Sequence, residues 1–202
     1  MAASRLRAYY AHIFYKLCRK SQSLCQLVHS YFAYAVERLR RLMLAIRRKE
    51  DKDVGEKSMN SISAYDVANV FAKLTDIDSG EVLTNLKIQK LVYYAQGFHL
   101  AMFDKPLFND PIVAWEHGPV VEDLYHKLKE HKSSPVMIAG AINKDISTEQ
   151  IELLVEVYDV YGQFSAWKLR DMTHNETPWA TTPKGYVITH AKLKTYFKNQ
   201  LQ

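Results

Sequence analysis

Cysteine is scarce in this 202-residue chain: there are two, Cys18 and Cys25, close together near the N-terminus and without the spacing of a metal site. A disulfide framework is therefore excluded as the basis of the fold, and a reducing cytoplasm is the expected location. Glycine and proline are few, seven and six, and neither a low-complexity tract nor an internal repeat is present, which excludes collagenous and solenoid architectures. Also missing is an apolar run of the roughly 20 residues that a membrane-spanning helix requires. The richest stretch, Leu24 to Val36, is interrupted by Gln26, His29 and Ser30. The contiguous apolar segment and small-residue cleavage site of a secretory signal are not evident either. No HExxH, GxSxG, Walker loop or CxxC pair occurs, so the familiar metalloprotease, hydrolase, nucleotide-binding and redox signatures are not available. What is present is 48% apolar residues, enough over this length to bury a core.

Charge is divided unevenly. Residues 1–50 hold 11 Lys or Arg and 2 Glu, a balance of +9, whereas residues 51–202 hold 16 basic and 20 acidic residues, a balance of −4. The sequence pI of about 9.0 thus reports a basic arm on a mildly acidic body, not a body suited as a whole to nucleic acid. From Leu6 to Ile46 there is no Gly or Pro, and apolar residues recur every three or four positions, the pattern of a long amphipathic helix or helical pair broken near Ser21-Gln-Ser23. Three roles compete for it: packing on its own domain or a second copy, lying on an anionic membrane through Arg38, Arg40, Arg41, Arg47, Arg48 and Lys49, or binding nucleic acid. The second role would make the protein peripheral at the inner membrane face. Residues 51–60 are polar and charged and read as a linker. Met59 is a candidate internal start, giving an arm-less form.

The body, 61–202, opens with a helix from Ser63, capped through Asp66, whose Tyr65, Ala68, Val70, Phe71 and Leu74 form the apolar stripe. A polar turn at 76–80 precedes the stretch on which the body is organised, Thr84 to Met102. There Ile88, Leu91, Ala95, Phe98 and Met102 define a core face, while Lys87, Lys90, Tyr93 and Gln96 fall on or near the opposite side. Pro111–Trp115 reads as a strand. Gly118 as N-cap with Pro119 at the first helical position predicts a helix start, followed by Glu122 and Asp123 in its first turn. Val136–Ala139 is a possible short strand. Ser147-Thr-Glu-Gln150 is a capping-box signature for a helix over 151–161, closed by Gly162. Ser165 caps a further helix expected to leave helical geometry at Thr177, before Pro178. Tyr186–Ile188 is a candidate strand for pairing with Ile112–Trp115, and Thr189 starts a closing helix. The expected fold is mainly α: a compact helical domain with a small two- or three-stranded antiparallel sheet, preceded by the long basic helical arm.

Chemistry has one candidate constellation, Glu116-His117 with His174 and Glu176, in which imidazole and carboxylate would act as base and orienter or hold a metal in a hydrolase. Against it, histidines beside helix termini commonly bond to backbone groups, and Trp115 and Trp179 beside turns are more often core anchors than substrate platforms. No cofactor, metal or small-molecule substrate is therefore expected.

Taken together, Tyr65-Asp-Val-Ala-Asn69, Leu86-Lys-Ile-Gln-Lys-Leu-Val-Tyr-Tyr-Ala-Gln-Gly-Phe-His-Leu-Ala101, Pro106-Leu-Phe108, Ile112-Val-Ala-Trp-Glu-His-Gly-Pro-Val120, Leu124-Tyr125 and Leu169 through Thr173-His-Asn-Glu-Thr-Pro-Trp179 resemble the Panacea domain over about residues 61–200. That family includes SocA-like antitoxins and proteins named GepA after a mobile genetic element. The resemblance implies a non-enzymatic antitoxin that binds a protein toxin directly, with a protease-adaptor role in at least one member. Tyrosine offers a large contact area for little lost side-chain entropy. A toxin-binding face is accordingly expected on Lys87, Lys90, Tyr93 and Tyr94, with Trp115, His117, Gly118 and Pro119 beside it.

Overall fold

The computed structural model describes residues 62–75 and 82–201; the arm, the linker, Met59 and the turn at 76–80 lie outside the described residues. Within them the fold is helical with one small sheet, as expected. Helix α1 (Ala64–Leu74) starts where Ser63 accepts from the Asp66 N–H at 3.2 Å and the Asp66 carboxylate accepts from the Ser63 N–H at 2.8 Å. This reciprocal pair satisfies two amides that the first turn leaves without helical partners. Its Ala68, Val70 and Phe71 are buried, and Tyr65 and Leu74 lie at the margin. Helix α2 (Asn85–Phe103) is capped by Thr84 and ends at Asp104, which takes the left-handed conformation at φ 58°.

Strands β1 (Ile112–Trp115) and β2 (Gly118–Val121) form an antiparallel hairpin with Ile112 opposite Val121 and Trp115 opposite Gly118. Here the sequence expectation fails: Gly118 and Pro119 do not begin a helix but begin β2, and helix α3 (Glu122–Leu128) follows directly. The two loop residues, Glu116 and His117, keep negative φ, and Gly118 supplies the left-handed step at φ 96°. Beyond it the β-branched Val120 and Val121 prefer the pleated conformation. Val113 also bridges to Val187, with Ala114 donating to the Tyr186 carbonyl and Ile188 to the Ile112 carbonyl, so Tyr186–Ile188 pairs as anticipated.

A short 3-10 turn over Lys129–His131 leads to an irregular segment. Val136–Ala139 is not a strand: Val136 makes one backbone bond, to Leu83, and Val136 and Ile138 are buried without a ladder. Helix α4 (Thr148–Tyr161) has the anticipated capping box between Ser147 and Gln150. Helix α5 (Ala166–His174) is capped by Ser165 and stops at Asn175, earlier than expected. Glu176 is extended, and Thr177 enters helical geometry as the first residue of a single turn, α6 (Thr177–Ala180), with Pro178 in the position that needs no amide partner. Helix α7 (His190–Gln200) starts at Thr189.

Helix α2 is the axis: α7, α4, α5, α1 and β2 all pack on it. It is buried from Asn85 to Ala101, apart from Leu86. The expectation of one apolar face and one open face is thus corrected, because neighbouring elements cover both. Lys90 and Gln96 are 0% exposed, and Tyr93 and Tyr94 are 1% exposed.

Candidate functional site

Burying a polar side chain is costly unless each donor and acceptor finds a partner, and α2 meets that condition by bonding to the backbone of its neighbours. Gln89 accepts from the Val121 N–H at 2.8 Å, and Lys90 Nζ donates to the Pro119 carbonyl at 2.9 Å. Both bonds go to the outer edge of β2, which is thereby closed without a further strand. About two turns on, Gln96 Nε2 donates to the Phe108 carbonyl at 2.8 Å and Gln96 Oε1 accepts from the Leu107 N–H at 2.7 Å, fixing the loop that leads into β1.

Between these lies the centre of the domain. Tyr93 Oη donates to Glu176 Oε2 and Tyr94 Oη to Glu176 Oε1, each at 2.8 Å. Tyr94 is stacked on Tyr161 at 3.8 Å between centroids, and Tyr93 meets Phe197 edge-on at 5.6 Å. Burial raises the Glu176 carboxyl to about 7, against the two tyrosine hydrogen bonds that favour its ionised form. Both phenols are pushed up, first by burial and then by the Glu176 carboxylate. Lys90 is lowered to about 7 by burial and, secondarily, by Arg170.

The surface above this centre is made by the hairpin and α5. Trp115 donates from Nε1 to Glu122 at 2.9 Å, and the Trp179 indole donates to the Trp115 carbonyl at 3.0 Å. Both tryptophans are half-buried. His174 is stacked on Trp179 at 3.8 Å and 7°. At the hairpin tip, exposed His117 sets its ring edge-on to Trp167 at 5.7 Å. Glu116 is ion-paired with Lys184 and held below the usual carboxylate range, first by that hydrogen bond. Gly118 has no room for a side chain: a Cβ there would lie 2.8 Å from Thr173 Oγ1 and 2.9 Å from Lys90 Nζ.

The eight residues expected at a partner face therefore separate into two layers. Lys87, Lys90, Tyr93, Tyr94, Gly118 and Pro119 are buried; Trp115 is partly exposed, and of the eight only His117 is exposed. The tyrosines are not surface groups, since they serve Glu176. The four residues of the hydrolase alternative are committed to different partners, Glu116 to Lys184 on the surface and Glu176 to two tyrosines inside. Among the described residues, no three His, Cys, Asp or Glu side chains are grouped to hold a metal. Sequence reasoning missed Trp167, Arg170 and Thr173. The first two share a helix face with His174 at three- and four-residue spacing, which is a readable signal once α5 is placed.

Fold and centre together define a helical domain whose polar motif residues point inward as supports, leaving a small aromatic and basic surface above them. Residues 88–180 match the family described as "Antitoxin SocA-like, Panacea domain". Over 89 residues the chain is 36% identical to "Antitoxin SocA" of Caulobacter vibrioides (strain NA1000 / CB15N), an alignment covering 43% of this chain and 45% of that protein. No solved structure matches. This segment is thus similar to the SocA-like Panacea domain family, and the chain spans somewhat under half of the curated relative's length. Among the described residues no helix is long and apolar enough to cross a membrane.

Proposed function

We propose that this protein is an antitoxin that neutralises a cognate protein toxin by direct binding, with no bond made or broken. The observation that carries the reading is the match of residues 88–180 to the SocA-like antitoxin domain. Geometry supports it: Lys90, Tyr93, Tyr94 and Glu176 of the motif are engaged in internal bonds, as a scaffold requires. The contact surface is the hairpin tip, with Trp115 and His117 facing outward, while Lys90, Gly118 and Pro119 hold the hairpin from beneath and Tyr93 and Tyr94 hold Glu176 under α5. Tyr93 and Tyr94 thus contribute by rigidity rather than by touch, which lowers the entropy lost on association.

The test is co-expression. Proteins encoded beside this one are induced singly in a host lacking both genes, with and without the full chain. One that arrests growth alone, is tolerated in its presence and co-purifies with it supports the proposal. Rescue without any stable complex would contradict direct binding.

A further inference from the structure

The free domain carries two buried nitrogens that have no hydrogen-bond partner, Arg170 Nε and His174 Nε2. Leaving such a group unsatisfied costs about 1–3 kcal/mol, so their presence on one helix is informative. They lie four residues apart on α5, hence on one face of it, and Trp167 precedes Arg170 by a single turn on that face. Trp167 is 60% exposed, unusual for so large an apolar side chain, and the Arg170 guanidinium lies 6.0 Å from its ring centre. The His117 ring meets the same indole edge-on at 5.7 Å. Trp and Arg are the residue types that dominate binding energy at protein interfaces.

Charge supplies the partner's chemistry. Residues 61–202 carry 14 Lys or Arg and 17 Asp or Glu, a balance of −3. Basic groups do gather at this spot: after burial, Arg170, Lys90 and His117 lower the His174 imidazole, opposed by the Asp171 carboxylate. Asp171 engages one nitrogen of Arg170, Nη1 at 2.8 Å, and Glu116 is paired with Lys184, so what Arg170 still offers an incoming acceptor is its unpaired Nε edge. An arginine edge with an unpaired N–H on an acidic body suits one carboxylate of a protein surface better than a phosphate backbone, which the body as a whole would repel.

Resting on the antitoxin reading, we propose that Trp167, Arg170 and His174 form the anchor of the toxin-binding face and receive an aspartate or glutamate of the toxin next to an apolar side chain. The carboxylate is taken by Arg170, whose side chain is 29% exposed and can turn outward to offer Nε together with an Nη. The apolar neighbour covers Trp167. Binding then satisfies a donor that folding leaves unpaired, so the bound state gains a hydrogen bond for which the free state made no equivalent.

The experiment compares full-length wild type, Arg170→Glu, Trp167→Ala and the control Lys129→Glu, which makes the same charge change at an exposed site on the 3-10 turn. Affinity for the growth-arresting neighbour protein is measured at two salt concentrations, and thermal melting of each variant is recorded alone. The inference predicts that Arg170→Glu and Trp167→Ala each weaken binding by at least about 10-fold with near-wild-type melting. Lys129→Glu stays within about 2-fold, and the salt dependence is shallower for Arg170→Glu. In the wild-type complex the Arg170 Nε–H resonance, followed in a 15N-labelled sample, should shift and exchange more slowly with water. Wild-type binding with an unchanged Nε–H resonance and undiminished affinity in Arg170→Glu overturns this inference while leaving the antitoxin reading in place. Absence of any wild-type partner overturns both.

Discussion

Glu176 shows how much a single side chain decides. Its carboxyl is raised from 4.5 to about 7 in the folded protein by burial, partly opposed by Tyr93 and Tyr94. Between those limits the folded state binds more protons than the unfolded state, so this group's contribution is full below about pH 4.5 and is lost as pH rises through 7. Lys90 has the opposite sign: its lowering from 10.5 to about 7 makes the unfolded state the better proton binder, so stability rises with pH above 7. Together these groups place a shallow minimum near neutrality. Glu176→Gln keeps the shape of the side chain, and a tyrosine hydroxyl can turn to accept from the new amide. The variant is expected to lose the falling limb, whose slope is at most about 1.4 kcal/mol per pH unit for one proton. Urea unfolding of both proteins at about pH 5, 6 and 7 checks this; parallel curves would contradict the assignment. None of the Tyr93–Glu176–Tyr94 geometry was legible in the sequence, because its partners are 82 and 83 residues apart and neither hydroxyl announces its acceptor. Local caps at Ser63, Ser147 and Ser165 were legible, since each bond spans three residues.

At the scale of elements, α2 explains both the success and the failure of pattern reading. Its apolar spacing gave the right helix, and its polar residues gave the wrong environment. Gln89, Lys90 and Gln96 look like a solvent face until the backbone of β2 and of residues 107–108 is brought against them. The Gly118-Pro119 pair misled for a related reason: a helix start and a hairpin exit both accept Gly followed by Pro, and the valines beyond decide. Gly97 tests the packing account. On helix propensity alone, Gly97→Ala should stabilise by roughly 1 kcal/mol. In this fold a Cβ at that position would lie 2.1–2.6 Å from the Phe197 ring, so α7 must be displaced from α2. Overpacking of this kind typically costs about 1–3 kcal/mol, and the net effect is expected to be destabilising. Chemical denaturation measures the sign, and a stabilised variant would mean that α2 and α7 are not in the contact described.

For the whole molecule, the division of charge is the property that separates arm from body: +9 over residues 1–50 against −3 over 61–202. We propose that the arm directs the acidic body to an anionic surface, motivated by the basic and aromatic pattern of residues 1–50. The full chain should then sediment with vesicles containing phosphatidylglycerol at low salt and be released as salt is raised, whereas a chain starting at Met59 should not sediment. Equal sedimentation of the two forms would remove the arm from the mechanism. The role proposed for the body is neutralisation by occlusion, and occlusion differs from catalysis in stoichiometry. The direct measurement is a titration of toxin activity with increasing amounts of the purified full chain. Contact predicts a linear loss of activity with an end point at a fixed, near-integral molar ratio and recovery of active toxin when the complex is dissociated. Complete inactivation by a small fraction of an equivalent, growing with time and leaving altered toxin behind, would contradict it.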